Sequence, residues 1–323
     1  MALPAELAQA IERETARFAP GELRRATEEL SCRYRGEQSR GSQLVVSPVE
    51  RAGYLATRLP ATFVAISAVL REVRERVPGF TPQSLLDLGA GPGTAAWAVA
   101  ESFPEIERMV LVERDSAMIA SGKALAASAS HAALRSAEWV AADLADFHAK
   151  EDFDLVILAY ALGEVKPSRR ATAVERAWVA GKVLAIIGPG TPTGFASILQ
   201  ARTQLIAAGV QLVAPCPHED ECPMRGSARD WCHFSQRLER SKLHRRLKSG
   251  ELGYEDEKFS YVVASKLPAR KAAARIVRHP TVRKGHIELQ LCAPDGLRSE
   301  TVTRSLGEEY KRARKAKWGE EWG

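Results

Sequence analysis

Residues 85–94 read LLDLGAGPGT: an apolar run of strand length, then glycines at alternate positions, Gly89, Gly91 and Gly93, and then at once the helix-compatible TAAWAVAES. The chain must turn sharply there and let a ligand approach the backbone closely, which side chains would prevent. A dinucleotide-binding turn places its third glycine five residues after the first, and here that position is Thr94. The spacing is G-x-G-x-G instead, with Asp87 ahead of it. Working outward, short apolar runs recur between helix-compatible stretches: ERMVLVER, AEWVAAD, FDLVILAY and KVLAIIG. Such runs are what a parallel sheet buried on both faces produces, so the centre of the chain is doubly wound α/β.

The glycine spacing and its leading acid resemble the loop of S-adenosylmethionine (SAM) methyltransferases, a Rossmann-like fold. The resemblance implies that helix N-terminal amides face the methionine carboxylate of SAM. Glu113 ends the strand VLVE, 24 residues beyond Gly89, where an acid accepts hydrogen bonds from both ribose hydroxyls. Asp143, after WVAAD, lies where this fold places a residue near the adenine. The fourth strand ends in AYALGEV, where many methyltransferases carry their reactive motif. It holds neither an Asn/Asp-Pro-Pro-aromatic sequence nor a cysteine for attack on a base. Tyr160 and Glu164 are the remaining catalytic candidates there, with packing and capping as their alternative roles.

Around this centre the chain divides into three expected parts. Residues 1–80 read as a helical N-terminal cap, with apolar positions such as Leu7, Ile11, Ile66, Val69, Leu70 and Val73 at helical spacing and SCRYRGEQSRGS as a connecting loop. Residues 81–266 read as the methyltransferase-like domain, in which 216–256, charged and poor in periodicity, is a Cys-rich insertion before the strand KFSYVVASK. Residues 267–323 read as a small β-rich module with a basic helix-like tail, GEEYKRARKAKWGEEW.

Charge is distributed unevenly. From Arg225 to the end there are 23 Lys/Arg against 13 Asp/Glu, a balance of +10; the remainder, 23 against 27, carries −4. Basic surface confined to one segment points to an anionic partner there, nucleic acid first, with a solvated basic tail as the alternative. Lys311, Arg312, Arg314, Lys315 and Lys317 are the expected phosphate contacts. No run of eighteen or more uncharged apolar residues occurs, and the N-terminal segment lacks a signal-peptide apolar core. The expectation is a soluble chain with no membrane partner, monomeric when free, in a bacterial cytoplasm, a mature organellar protein being the alternative.

Five cysteines occur, and an odd count in such a compartment argues against a disulfide framework. Cys216, Cys222 and Cys232 lie close together, Cys292 follows in ELQLCA, and Cys32 stands apart as an ordinary thiol. No close C-x2-4-C pair of the zinc-ribbon kind is present. Wide spacing with Cys-Pro steps suits a four-thiolate [4Fe-4S] cluster; zinc and independent buried thiols are the alternatives. His218 and His233 are available to replace a ligand or to act behind one.

LLDLGAGPGT, GPGTPTGF, APCPHEDECPM, DWCHFSQR and the late Cys292 together resemble the Rsm22 family of bacterial and mitochondrial small-ribosomal-subunit methyltransferase-like proteins, over nearly the whole chain. The resemblance implies a methyltransferase fold, association with the small ribosomal subunit or its rRNA, and a [4Fe-4S] cluster whose ligands fall on Cys216, Cys222, Cys232 and Cys292. It implies SAM binding at Gly89, Gly91 and Gly93. Two function classes follow: a SAM-dependent rRNA methyltransferase, and a non-catalytic assembly factor in which SAM binding is vestigial or regulatory. A small-molecule methyltransferase with an incidental metal site is the third, which the basic tail disfavours.

Overall fold

The glycine turn closes the first strand of an eight-stranded sheet. The computed structural model describes residues 2–35, 45, 47–227, 229–248 and 252–323. Helices α1 (Ala5–Thr15), α2 (Pro20–Arg35) and α3 (Pro48–Arg76) precede the sheet. Ser47 starts α3 with a capping box: its side chain accepts from Glu50 N, and Glu50 reaches back to Ser47 N. The expected loop over SCRYRGEQSRGS is corrected in part. Ser31–Arg35 continue α2 because Leu23, Ala26 and Leu30 keep a helical stripe buried to that point, and 36–42 lie outside the described residues.

Helix α3 is long and apolar enough to cross a membrane, yet 89% of its most apolar window is buried inside the protein. Sheet and neighbouring helices cover that window while the last turns of the helix expose Arg71, Arg74 and Glu75, so its composition is that of a core helix.

Next come β1 (Ser84–Leu88), α4 (Thr94–Ser102), β2 (Arg108–Glu113), α5 (Ser116–Ala126), α6 (Ala132–Arg135), β3 (Glu138–Ala141), β4 (Phe153–Ala159), α7 (Pro167–Val179), β5 (Gly181–Pro189), α8 (Pro192–Ala207) and β6 (Leu212–Ala214). Then follow β7 (Phe234–Glu239), α9 (Lys242–Leu247) and β8 (Tyr254–Ser265). The sheet order is β3-β2-β1-β4-β5-β8-β6, with β7 pairing the outer part of β8. β8 runs antiparallel to both β5 and β6, while β1 to β5 are mutually parallel. Along β4, Leu155 and Ile157 join the core under α3 and α4, while Val156 and Leu158 join the core under α7 and α8. That double burial is why the sequence shows apolar runs rather than alternation.

The expectation of an aperiodic 216–256 is corrected beyond residue 233. β7, α9 and the first residues of β8 lie there, and β8 begins at Tyr254 rather than 258. β7 was hidden because only Phe234 and Leu238 of its six residues are buried.

A second, four-stranded sheet contains β9 (Arg275–Ile276), β10 (Thr281–Arg283), β11 (His286–Ala293) and β12 (Gly296–Thr303). Ile276, Ile287, Leu289, Leu291, Val302 and Trp322 form its core. The basic tail is helical only over α10 (Glu308–Ala313). Beyond it the chain folds back, so that Trp322 is buried and Glu321 bridges to Arg275.

Candidate cofactor crevice and cysteine site

A crevice of about 280 Å³ opens beyond the carboxyl ends of β1, β2 and β4, lined by Gly89, Gly91, Glu113, Asp143, Tyr160 and Glu164 among others. Ligands of open α/β sheets bind at that end of the strands. A larger depression, about 500 Å³, lies at the opposite end beside Asp154, Lys182 and Arg270. There Asp154 is already engaged by Lys182 and by the amides of Gln83 and Ser84.

Each residue expected at the glycine turn sits in or beside the crevice. Gly89 has φ +76°, and a Cβ there would stand 2.4 Å from the Ala161 Cβ. Gly91 has φ +54° and nothing within 4 Å of an added Cβ, so its backbone faces open space. Gly93 is the N-cap of α4. The Gly91 amide donates to Glu113 Oε2 at 2.8 Å, and Asp115 N donates to Glu113 Oε1 at 2.8 Å. The expectation that the turn's amides all face a methionine carboxylate therefore needs correction at Gly91, whose N–H points at Glu113. Asp143 accepts from Ala145 N at 2.9 Å and lies 3.8 Å from Arg114.

Asp87 is almost fully buried, and its Oδ2 has no hydrogen-bond partner among the described residues. Burial, with Glu113 nearby, pushes its carboxyl up to about 8. A carboxyl raised on folding stabilises the fold at low pH, and that contribution is lost as pH rises toward the folded value. In Asp87→Asn the titration is gone. Allowing for relaxation and water entry, the variant is expected to gain about 2 kcal/mol over the wild type between pH 5 and pH 9 in urea titrations. Parallel curves for the two proteins would refute this.

Tyr160 and Glu164 are brought to the crevice but are engaged elsewhere. Tyr160 has φ +60°, the one non-glycine positive φ among the described residues. Its hydroxyl donates to Glu257 Oε1 at 3.2 Å, and Arg58 lies 3.8 Å from the same carboxylate. Burial and Glu257 hold the Tyr160 phenol well above its ordinary value. Glu164, about half exposed, lies 3.5 Å from Arg114. Neither group is a free base aimed at a substrate. Sequence reading missed Tyr54, Arg114, Met118, Lys166 and Arg169 in the lining. Tyr54 was invisible because it sits in a helix read only for its core stripe.

The cysteine segment starts where β6 ends. Among the described residues, none of the five cysteines is in a disulfide. Arg202 of α8, itself buried, donates from Nε to Cys216 Sγ at 3.2 Å and from Nη2 to the carbonyls of His218 and Asp220 at 3.0 and 2.7 Å. His218 Nε2 lies 3.7 Å from Cys292 Sγ, joining the first segment to β11. Ser260 donates to the Cys232 carbonyl at 2.8 Å. Burial raises the thiols of Cys222, Cys232 and Cys292, the last to about 12, and Cys216 and Cys222 act on Cys292 while all three others act on Cys232. Three of the sulfurs thus belong to one stretch and the fourth to β11, and the two parts meet at the His218–Cys292 contact. Among the described residues, no three Cys, His, Asp or Glu lie close enough to hold a metal ion. A single tetrahedral zinc, with Zn–S of about 2.3 Å, would need its sulfurs about 4 Å apart. His233 is turned aside: its Nδ1 contacts the Trp231 carbonyl, and its ring stacks on Trp231 at 5.1 Å. Cys32 is exposed in α2.

The five expected phosphate contacts, Lys311, Arg312, Arg314, Lys315 and Lys317, are all exposed on and after α10. Lys311 pairs with Glu308 at 2.6 Å, and the Arg312 guanidinium sits 4.2 Å from the Trp322 ring centre.

A dinucleotide-binding sheet runs 3-2-1-4-5-6 in parallel. Here reversed β8 is wedged between β5 and β6, above a G-x-G-x-G turn, and together these define a Rossmann-like α/β protein of the methyltransferase kind. The chain belongs to the Rsm22 family: the family model described as "Mitochondrial small ribosomal subunit Rsm22" matches residues 48–323. Ribosome assembly protein METTL17, mitochondrial, of Homo sapiens is 30% identical over 287 residues, covering 83% of this chain and 61% of that protein. Rsm22-cox11 tandem protein 2, mitochondrial, of Schizosaccharomyces pombe is 25% identical over 345 residues, covering 90% of this chain and 45% of its own length. The chain thus spans only part of each of these relatives. Among solved structures, magnesium protoporphyrin IX methyltransferase from Synechocystis with bound SAM aligns with a TM-score of 0.41 at 11% identity, over 64% of this chain and 79% of that one. The plantazolicin methyltransferase BpumL aligns with a TM-score of 0.41 at 11% identity, over 76% and 97%. The relatives named are mitochondrial proteins, which overturns the expectation of a bacterial cytoplasm.

Proposed function

We propose that this chain binds SAM in the crevice and docks on small-subunit rRNA as a ribosome assembly factor in the mitochondrion. The observation that carries the reading is the crevice itself: open space at Gly91 beside a buried Asp87 whose Oδ2 lacks a partner among the described residues. A cationic ammonium such as that of SAM would satisfy that oxygen. Glu113 sits at the strand end where ribose hydroxyls are accepted, and a bound nucleoside would compete with the Gly91 amide for Oε2. Asp143 borders the crevice on the adenine side. Lys311, Arg312, Arg314, Lys315 and Lys317 supply phosphate contacts. The assembly role is supported by the family and by the chain's similarity to METTL17, a ribosome assembly protein. With Tyr160 and Glu164 occupied by Glu257 and Arg114, the non-catalytic form is favoured. One observation supports retained methyl transfer, the strained backbone of Tyr160 at the end of β4.

The support for a [4Fe-4S] cluster is donor chemistry and the family resemblance alone: four thiols, one of them, Cys216, accepting from the Arg202 guanidinium, although among the described residues no three metal-holding groups converge. Cys216, Cys222, Cys232 and Cys292 would hold it. When bound, it would supply a multi-thiolate crosslink between the main sheet and the second sheet. Protein purified anaerobically is expected to be brown and to contain about four iron atoms per chain. Colourless protein with stoichiometric zinc would reject that assignment. For SAM, calorimetry on the wild type is expected to give saturable heat, and none at millimolar SAM would leave the scaffold alone. Crosslinking in cells is expected to recover small-subunit rRNA.

A further inference from the structure

The β7–β8 ribbon overshoots the sheet. Phe259 is in register with Pro189, the last residue of β5, so Tyr254–Lys258 project beyond the carboxyl edge where the crevice opens. There Glu257 of the ribbon accepts from Tyr160, a residue that lines the crevice. Helix α9 connects the two strands and packs on α2 and α3.

The short helix has two chemically distinct faces. His244 and Leu247 are buried, and Lys248 is half-buried. On this inner side Glu255 takes Arg240 at 2.7 Å and Lys248 at 2.9 Å, with His244 Nε2 at 3.5 Å. Those partners hold the Glu255 carboxyl far below the usual carboxylate range. Asp256 is taken by Arg237 and Glu257 by Tyr160. The described acids of β8 are therefore spent. Lys242, Arg245 and Arg246 occupy the i, i+3, i+4 positions of the outer face, are exposed, and form no ion pair with a described acid. Lys166, exposed on the crevice rim, is likewise unpaired with any described acid.

The geometry points to the outer face of α9 as a second nucleic-acid contact, separate from the C-terminal tail, which grips the phosphate backbone where the strand passes the crevice. A solvated face would gain by pairing its cations with the nearby acids. Here Glu255, Asp256 and Glu257 are engaged by Arg240, Lys248, Arg237 and Tyr160, leaving Lys242, Arg245 and Arg246 as three exposed cations on one face of α9. Such an array matches successive phosphates along one strand better than it matches a diffuse charge. The inference rests on the RNA-docking function proposed above and names which surface presents RNA to the crevice.

The test is fluorescence anisotropy of a labelled 30-nucleotide oligouridylate against KCl concentration. It compares the full chain, the triple variant K242Q/R245Q/R246Q, and a variant with the five tail cations neutralised. Losing three phosphate contacts is expected to reduce the log–log salt slope by about 2 and the affinity roughly ten- to a hundredfold at low salt. Unchanged thermal unfolding and SAM heat would show that the fold is kept. A slope falling in the tail variant but unchanged in the α9 variant would overturn this inference and leave RNA docking standing. A wild type that does not bind the oligonucleotide would overturn both. Loss of binding to phosphatidylserine vesicles in the α9 variant, with RNA binding intact, would reassign the surface to a membrane and overturn the inference.

Discussion

Replacing Arg275 by methionine is expected to cost about 3–5 kcal/mol of stability, the largest single loss outside the apolar core. Arg275 is only 1% exposed, yet four of its five N–H donors are used. Nε donates to the Pro215 carbonyl at 3.1 Å; Nη1 donates to Glu72 Oε1 at 2.9 Å and to the Gly319 carbonyl at 2.6 Å; Nη2 donates to Glu72 Oε2 at 2.8 Å. One side chain thereby ties the second sheet to α3, to the entry of the cysteine segment and to the C-terminal turn. Methionine preserves the volume but takes the donor from the buried Pro215 carbonyl and the part-buried Gly319 carbonyl. Glu72 keeps Arg76 at 2.7 Å, so it does not become an unpaired charge. In the double variant Glu72→Met/Arg275→Met the loss is expected to be smaller than the sum of the two single losses, because each partner is costly mainly when left without the other. The pH sign follows from Glu72, whose carboxyl is held below its ordinary value by its two arginines despite burial. Its contribution is present above the unfolded carboxylate range, near pH 4, and is lost as pH falls through the folded value. Urea titrations at pH 7 and pH 3 are expected to show a larger Arg275 effect at pH 7; equal effects would show that the ion pair carries none of it.

The residues that decide this junction are those that sequence reading passes over. A buried arginine carries the letter of a surface residue, and nothing in its neighbourhood of the chain marks Arg275 or Arg202 as interior. Their burial is bought by partners 203 and 16 residues away. The first five strands were legible for the opposite reason. β1, β2, β4 and β5 are covered on both faces, so Leu85–Leu88 or Leu155–Leu158 cannot hide a polar side, and the one exception, Asp87, lies at the crevice end; β3, at the sheet edge, buries none of its residues. β7 and α9 were illegible because a ribbon projecting past the sheet edge buries little, and periodicity needs a buried face to produce it. At the cysteine site the residue set was readable from the letters, whereas the bracing by Arg202 and the approach of His218 to Cys292 were not.

At the crevice, two glycines two residues apart are expected to fail in different ways. In Gly89→Ala the new methyl would meet the Ala161 Cβ at 2.4 Å and Leu144 Cδ2 at 3.0 Å, in a backbone at φ +76°. Ala161 belongs to the segment that follows β4, so the clash pushes apart β1 and β4, adjacent strands of the core. A loss of about 1–2 kcal/mol follows from the left-handed backbone alone, and the clash adds to it. SAM binding should go with it. Gly91→Arg differs because nothing lies within 4 Å of an added Cβ and φ +54° is the left-handed region, which costs an L residue about 1 kcal/mol. The fold should survive while the side chain fills the space the nucleoside needs and places a cation beside the Glu113 carboxylate that should accept ribose. Calorimetry is expected to show SAM affinity lower by on the order of 100-fold or more, equivalent to about 2.7 kcal/mol, with thermal unfolding shifted by only a few degrees. The pair is diagnostic, since one variant loses binding by losing the sheet and the other by blocking the crevice alone. A Gly91→Arg protein that binds SAM as the wild type does would place the cofactor elsewhere. Asp87, Glu113 and Asp143 would then be left as structural acids of a scaffold, not as the polar rim of a nucleoside site.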